Sequence, residues 1–370
     1  MSEVGTILVC AMTNSKKPTV AALFAGAGGL DRGFSNAGFD VLWANEYDKA
    51  IWDTYEANFP KTNLDRRSIV DVAAEDIKDK DGEPFNPTGF IGGPPCQSWS
   101  EAGAARGIED HRGQLFFEYM RLIEQKRPTF FLAENVSGIL FSKHNPALGS
   151  ILEGFARLGY NVSYGLLHAR DYEVPEDRDR VIIVGYRTEL NKFFVPPKPF
   201  GQKLTLADAI WDLRESAVPA LSNNDTNPAA DNNHEYMVGG FSSIYMSRNR
   251  VRAWDEGSFT IQAGGRHAPI HPDAPKMIKV GPDKWEFDKG SPYRRLTVRE
   301  CAAIQTFPPD HRFIYQRVSD GYKMIGNAVP VKFAEHLAMQ ILRDIDVPEV
   351  KLKSKPSVGS FKRFDELAIA

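Results

Sequence analysis

Thr19-Val20-Ala21-Ala22-Leu23-Phe24-Ala25-Gly26-Ala27-Gly28-Gly29-Leu30 runs from an apolar, β-type segment straight into a glycine-rich turn. Such a turn at the end of a strand lets the backbone approach a ligand closely, and the helix beyond it offers free N–H groups at its start. Glu46 lies seventeen residues after Gly29, at the end of the next apolar run. A carboxylate there can accept hydrogen bonds from ribose hydroxyls. These features indicate a nucleotide-type ligand on an α/β sheet, but a glycine-rich turn does not separate a nicotinamide cofactor from a methyl donor.

Outward from that stretch, β-type runs alternate with segments of helical period. The expected strands are Thr19–Phe24, Val41–Asn45, Phe90–Ile91, Phe130–Ala133, Val162–Leu167 and Val181–Val184. Between them, Gly113–Gln125 places Leu115, Phe116, Tyr119, Met120 and Ile123 on one helical face, with Pro128 beyond its end. This alternation predicts a mostly parallel α/β sheet. The texture changes at Val195–Phe200, which holds Pro196, Pro197 and Pro199, and residues 222–234 are crowded with Asn, Asp and Pro. Periodicity returns at Leu296–Gln305 and Tyr322–Leu342. The expected organisation is a sheet domain over 19–194 completed by 296–345, a smaller loop-rich module over 195–295, and a polar tail over 346–370 that reads as disordered.

Bulk properties narrow the function classes. The chain has 370 residues, 42% hydrophobic and 25% charged, ordinary values for a globular protein. No stretch approaches the run of about 20 apolar residues that spans a bilayer, and the apolar patch Val4–Met12 lacks the basic start of a signal peptide. Three cysteines, Cys10, Cys96 and Cys301, have no metal-type spacing. They fit a reducing, cytoplasmic compartment in which a thiol stays free for chemistry, and no metal is expected. The net charge of -3 means that any nucleic acid must be held by a local basic surface.

Three further segments carry the chemistry. In Gly92-Gly93-Pro94-Pro95-Cys96-Gln97-Ser98-Trp99-Ser100, two prolines stiffen the approach to a cysteine just past a short strand. A lone cysteine is more often a small buried apolar residue, but these flanks are too polar and glycine-rich for a core strand. Glu134-Asn135-Val136 comes directly after Phe130–Ala133, and Arg178-Asp179-Arg180 precedes Val181–Val184. A carboxylate there can merely cap a helix. Two arginines one residue apart point the same way on an extended chain and can grip a polar substrate.

In this order the blocks resemble those of the DNA cytosine-5 methyltransferase family: the Phe24–Gly29 turn, Glu46, Pro94-Pro95-Cys96-Gln97, Glu134-Asn135-Val136, Arg178-x-Arg180 and Gly326-Asn327-Ala328-Val329. The likeness spans about residues 19 to 345. Amino-methyltransferases typically carry Pro-Pro-Tyr or Pro-Pro-Trp where this chain has Pro-Pro-Cys, so the cysteine favours carbon chemistry. The resemblance implies a Rossmann-like domain that binds S-adenosyl-L-methionine as co-substrate. It implies Cys96 as nucleophile toward carbon 6 of cytosine, Glu134 on the ring N3 and amine, Arg180 on the carbonyl and Arg178 in support. The base must be flipped from duplex DNA to be reached. Implied cofactor contacts are Phe24 and Gly26 on the methionine side, Glu46 on the ribose and Tyr47 on the adenine face, with Leu115 and Asn327 closing the site and Gly28, Gly29 and Pro94 also binding the cofactor. Ser68-Ile69 stands where the family often has Asp-Ile, and Asp71 is a nearby substitute.

The middle module is expected to read the DNA through Met246-Ser247-Arg248-Asn249-Arg250-Val251-Arg252 and Gly264-Gly265-Arg266-His267. Arginines can bond guanine bidentately or merely hold phosphate. The blocks Ser98–Phe117, Phe131–Gly138, Asn232–Glu235, Tyr245–Glu256 and Asp320–Val331 are similar to HaeIII-type modification methyltransferases. That likeness implies the inner cytosine of GGCC as target and Arg248, Arg250 and Arg266 as guanine readers. It also places Ile244 by the disrupted base stack and Ser100 on the DNA. It further implies a monomer that binds double-stranded DNA in the nucleoid, without a membrane, as the protective half of a restriction-modification system whose cognate endonuclease is not a physical partner. RNA cytosine-5 methylation, a nicotinamide-dependent oxidoreductase and a non-catalytic DNA-binding relative are the alternatives. The oxidoreductase leaves Pro94–Ser100 and the arginine reader unexplained, and intact Cys96, Glu134 and Arg180 speak against a non-catalytic relative.

Overall fold

The central strands are buried on both faces, which is why they read as nearly continuous apolar runs rather than alternating ones. The computed structural model describes residues 17–95, 115–346 and 356–361. The first half runs β1 (Thr19–Leu23), α1 (Gly29–Asn36), β2 (Asp40–Asn45), α2 (Trp52–Asn58), β3 (Asn63–Asp65), β4 (Gly89–Gly92), α3 (Leu115–Lys126), β5 (Phe130–Val136), α4 (Asn145–Arg157), β6 (Tyr160–His168) and β7 (Asp179–Arg187). The middle contains α5 (Leu206–Ile210), the short pair β8 (Val218–Pro219) and β9 (Glu235–Tyr236), and the hairpin β10 (Ile278–Gly281) and β11 (Lys284–Glu286). Then come α6 (Val298–Ile304), α7 (Val318–Asn327), α8 (Val331–Ile345) and β12 (Val358–Ser360).

Eight strands form one sheet in the order β12-β6-β7-β5-β4-β1-β2-β3. Neighbours run parallel except that β7 is antiparallel to both β5 and β6. Val20 and Ala22 face α1 and α8, whose Phe34, Phe333 and Leu337 belong to the same core. Ala21 and Leu23 face the other way, into the core that holds Tyr119 and Ile123 of α3 and Ile151 and Phe155 of α4. Gly33 lets α1 and α8 meet closely, because a Cβ there would lie 2.4 Å from the Ala334 Cβ. The expected mostly parallel α/β class is the observed one.

Several boundaries differ from expectation. Strand β5 continues through Glu134, Asn135 and Val136, so these three residues lie inside the sheet rather than after it. The reason is their pairing with β7, where Glu134 opposes Ile182 and Val136 opposes Arg180. Strand β3 has no counterpart among the expected strands, since Asn63-Leu64-Asp65 is not an apolar run. The C-terminal segment also departs from a wholly disordered tail. β12 adds a parallel edge strand to β6, and Phe361 lies over Gly165, whose hypothetical Cβ would sit 2.4 Å from the Phe361 ring. A parallel partner needs no alternating sequence signal of its own, so that docking leaves little trace in composition.

The loop-rich character of 195–295 is observed, but its apolar residues are not sealed off from the C-terminal helices. Leu206, Ile210, Met237 and Ile261 share one core with Cys301, Ile304, Tyr322 and Val331. A separate small cluster, Tyr245, Val251, Ile270, Ala274 and Met277, supports the loop that carries Ile244 and Arg248.

Candidate active site

Strand order reverses direction around β1, which lies between β2 and β4. In open α/β sheets the crevice beyond the carboxyl ends of the strands at such a point is where ligands bind. Gly92 is level with Ala133 of β5, which runs on to Val136, and Leu23 is level with Asn45 and with Gly92, so three strand ends converge there. They open into a cavity of about 520 Å³ lined by residues 22–26, by Glu46 and by Pro94, among others.

The glycine-rich turn makes one wall. Phe24, Gly26 and Gly28 all have positive φ, at 54°, 55° and 81°. At Gly26 a Cβ would meet nothing within 4 Å, so the backbone is open to a ligand. Gly28 serves differently from expectation: it does not line the cavity, and a Cβ on it would be 2.2 Å from the Phe59 ring. Gly29 lies against the opposite wall, where its Cβ would meet the Val329 carbonyl at 2.2 Å. Glu46 closes the turn by accepting bonds from Gly26 N at 2.9 Å and Asp48 N at 2.7 Å. Burial raises its pKa, and those two backbone bonds oppose the rise. Each carboxylate oxygen retains a lone pair for a ligand hydroxyl.

Tyr47 stands at the mouth, 71% exposed. Ser68, Ile69, Leu115 and Asn327 line the cavity as expected, whereas Asp71 does not. Asp71 ends the short turn that begins after Ser68 and is not among the residues lining the cavity. Asp31 carries no signal of a role in the sequence. It lies in the first turn of α1, is 1% exposed and accepts a bond from the Tyr55 hydroxyl at 2.6 Å. Among the described residues its other oxygen has no hydrogen-bond partner, and burial pushes its pKa up to about 7.

Glu134 and Arg180 meet at the same edge because β7 runs antiparallel. Its first residues therefore lie level with the last residues of β5. Arg180 Nε is 2.6 Å from Glu134 Oε1, with both side chains about nine-tenths buried at 12% and 11% exposure. Gly93 crowds the other carboxylate oxygen: a Cβ there would be 3.2 Å from Glu134 Oε2. Asn135 Nδ2 donates to the Pro94 carbonyl at 3.2 Å. Asn135 sits between two residues that the sequence singles out, yet an amide bonding to a neighbouring loop has no sequence mark of its own. Pro94 and Pro95 are thus held beside Glu134, and Cys96 is the next residue in the chain. Cys96 and Ser100 lie outside the described residues. Among the described residues Cys301 is a free thiol, fully buried, and burial raises its pKa well above the usual range.

Arg178 does not accompany Arg180 to Glu134. It is 1% exposed, and its Nη2 donates to the carbonyls of Gly326 at 2.9 Å and Ala328 at 2.8 Å. Its Nη1 donates to Ile261 O at 3.2 Å and lies 3.5 Å from Glu176 Oε1. Burial, with Arg180 nearby, pulls its pKa down to about 10, so it remains a cation at neutral pH. On an extended chain the two arginines could point the same way, but here their side chains part: Arg178 is held inside the protein by three carbonyls, while Arg180 pairs with Glu134.

The recognition residues also divide. Ile244 is 77% exposed, and Arg248 and Arg266 are exposed. Arg250 is committed to its own loop, with Nε donating to Tyr245 O at 2.6 Å and Nη2 to Ile244 O at 3.0 Å. Arg266 and His267 border a second cavity of about 660 Å³, together with Gly239, Gly240, Gly264 and Gly265. Among the described residues, no group of three or more His, Cys, Asp or Glu could hold a metal ion, and no helix is long and apolar enough to cross a membrane.

The sequence profile of C-5 cytosine-specific DNA methylases matches residues 19–343. The chain is 54% identical over 333 residues to Type II methyltransferase M.MthTI of Methanothermobacter thermautotrophicus, covering 88% of this chain and 98% of that protein. It is 51% identical over 346 residues to Type II methyltransferase M.NgoPII of Neisseria gonorrhoeae, covering 90% and 100%. Among solved structures, a putative DNA modification methyltransferase encoded within an Escherichia coli prophage superposes with a TM-score of 0.69 at 23% identity, over 89% of this chain and 100% of that one. At that identity it bears on the fold alone.

The buried charges have two measurable consequences. Arg178→Ala leaves Glu176 without its counter-charge and three carbonyls without donors, so denaturant unfolding should show a loss of about 3–5 kcal/mol. An Asp31 pKa raised to about 7 gives a stability contribution that is full below the ordinary carboxylate range and lost as pH rises through about 7. Asp31→Asn should therefore gain melting temperature relative to the parent between pH 5 and pH 8, and an equal difference at both pH values would contradict the assignment.

Proposed function

Because this chain belongs to the C-5 cytosine-specific DNA methylase family, we propose that it methylates carbon 5 of a cytosine flipped from duplex DNA, with Cys96 as nucleophile and S-adenosylmethionine as methyl donor. The observation that carries this reading is the Glu134–Arg180 pair, 2.6 Å apart at the sheet edge, beside the Gly93-Pro94-Pro95 turn that leads into Cys96.

Carbon 5 of cytosine is a poor nucleophile while the ring is conjugated. Addition of the Cys96 thiolate to carbon 6 breaks that conjugation and makes carbon 5 an enamine carbon. That addition pushes electron density onto N3, which must take up a proton; Glu134 bonds N3 and accepts from the exocyclic amine, so it can deliver that proton and stabilise the protonated intermediate. Arg180 bonds the ring carbonyl while keeping Glu134 oriented. The nine-tenths burial of this pair keeps water from screening it. Carbon 5 would then take the methyl group as its bond to the donor sulfur breaks, and loss of the carbon 5 proton to water expels the Cys96 thiolate and restores the ring.

The cavity suits an adenosine-type sulfonium in size and lining. Its volume of about 520 Å³ is that of a small-molecule site, and Gly26 leaves open backbone on the wall opposite Pro94. Glu46 would accept the ribose hydroxyls, Tyr47 and Ile69 would flank the adenine, and Asn327 would close the methionine end. The bound donor supplies an electrophilic methyl group and needs no metal.

For sequence choice, the likeness of the middle module to HaeIII-type enzymes favours the inner cytosine of GGCC. The exposed Arg248 and Arg266 would read guanine, Ile244 would sit at the opened stack, and Arg250 would brace Ile244. A protective role beside a restriction endonuclease fits the Type II relatives. Incubation with labelled S-adenosylmethionine and a GGCC duplex, with bisulfite sequencing of the product, tests this. The expected product is 5-methylcytosine at the inner position; methylation spread over unrelated contexts would remove the GGCC assignment. In the same assay Glu134→Gln should lower turnover by about 100-fold or more with little change in cofactor affinity.

A further inference from the structure

Arginines alternate along Arg248-Asn249-Arg250-Val251-Arg252, and their side chains diverge. Arg248 is exposed and Arg250 turns back onto its own loop. Arg252 reaches across to the sheet domain. Its Nη2 lies 2.7 Å from Asp177 Oδ2, its Nη1 lies 3.1 Å from Glu256 Oε1, and its guanidinium covers the Phe259 ring at 4.1 Å.

Asp177 is fixed from several directions. Arg170 Nη1 is 3.4 Å from its Oδ1, and His168 Nε2 is 3.7 Å from the same oxygen. His168 Nδ1 in turn lies 2.8 Å from Asp179. The backbone adds a second connection. Asp177 N donates to Ser258 O at 2.9 Å, Ser258 N donates to Pro175 O at 2.8 Å, and the Thr260 hydroxyl donates to Asp177 O. Residues 258–260 are therefore laid along 175–177, and the chain continues from there to Arg266. From Asp177 the other way, three residues lead to Arg180.

An isolated ion pair with side chains 25% and 33% exposed adds little to stability. Here the pair joins two backbone segments whose continuations carry different functions, so its consequence is geometric. We propose that Arg252 and Asp177 form a positioning joint that sets the reader arginines Arg248 and Arg266 relative to the Glu134–Arg180 pair, so that engagement of the correct sequence places the extruded base. The joint rests on Arg248 and Arg266 being the base readers. Neither Arg252 nor Asp177 touches the reacting atoms, and the joint acts after DNA has bound. Misplacement of reacting groups by about 1 Å is enough to cost about 100-fold in rate.

The test uses the full chain with Arg252→Gln, Arg252→Lys and Asp177→Asn. Each variant is assayed in single-turnover methylation at saturating duplex, on the site that the parent enzyme methylates and on duplexes with one base pair changed. Arg252→Gln and Asp177→Asn should slow the bound complex by about 10- to 100-fold and narrow the ratio between correct and altered sites, with cofactor affinity unchanged. Arg252→Lys should recover part of both, because an ammonium still pairs with Asp177 but without the planar fork. Thermal unfolding of each variant identifies any loss that is merely unfolding, and the lysine variant carries the test in that case. Parent-like rate and discrimination in both Arg252→Gln and Asp177→Asn, or a deficit that disappears at higher DNA concentration, would overturn the joint. Arg248→Ala and Arg266→Ala form the separate arm. Full discrimination in both would remove the reader assignment and the joint with it, whereas discrimination lost in Arg248→Ala or Arg266→Ala beside a parent-like Arg252→Gln would remove the joint alone.

Discussion

The buried guanidinium of Arg178 is the constraint on which the site depends. A cation withdrawn from water must be paired and hydrogen-bonded, or it costs several kcal/mol. Arg178 meets that demand with three carbonyls: Ile261, five residues before Arg266, and Gly326 and Ala328, the latter lining the cavity at the strand ends. Glu176 supplies the counter-charge and also accepts the Ile261 N–H at 2.7 Å. Segments remote in sequence are thereby held to the start of β7. The planar fork of arginine suits this task, since a lysine offers no fixed pair of directions.

That anchor sets the catalytic edge. Arg178 leads into β7, and the antiparallel direction of β7 brings Arg180 level with the end of β5. A parallel strand would have delivered its first residues to the opposite end of the sheet. Gly326 allows the close approach: a Cβ there would lie 2.3 Å from the Gln262 backbone. The cavity wall at Ala328, the Glu134–Arg180 pair and the path to Arg266 thus pack as neighbours.

Much of this is legible in the sequence, because the blocks that bind and react sit at strand ends where apolar runs stop abruptly. The turn after β1, Glu46 and the Glu134 block are of that kind. The hidden features depend on pairing or on tertiary partners. Glu134–Val136 reads as a loop until β7 extends the strand, and β12 has no pattern of its own beside β6. Arg178, Arg250 and Arg252 look alike in sequence, yet each is committed to different acceptors. Gly28 and Asp71 sit in the right blocks but lie outside the cavity lining. Burial decides Asp31 and Cys301, and neither has a flanking sequence that announces it.

Burial also sharpens the central claim. Cys301 is sealed in a core with its thiol pKa raised, which leaves it a poor nucleophile. The most direct measurement is covalent trapping on a duplex containing 5-fluorocytosine at the target position, with the cofactor present, and peptide mapping of the adduct. The account requires one adduct, on Cys96, lost in Cys96→Ser. An adduct on Cys10 or Cys301, or trapping that survives Cys96→Ser, would contradict it.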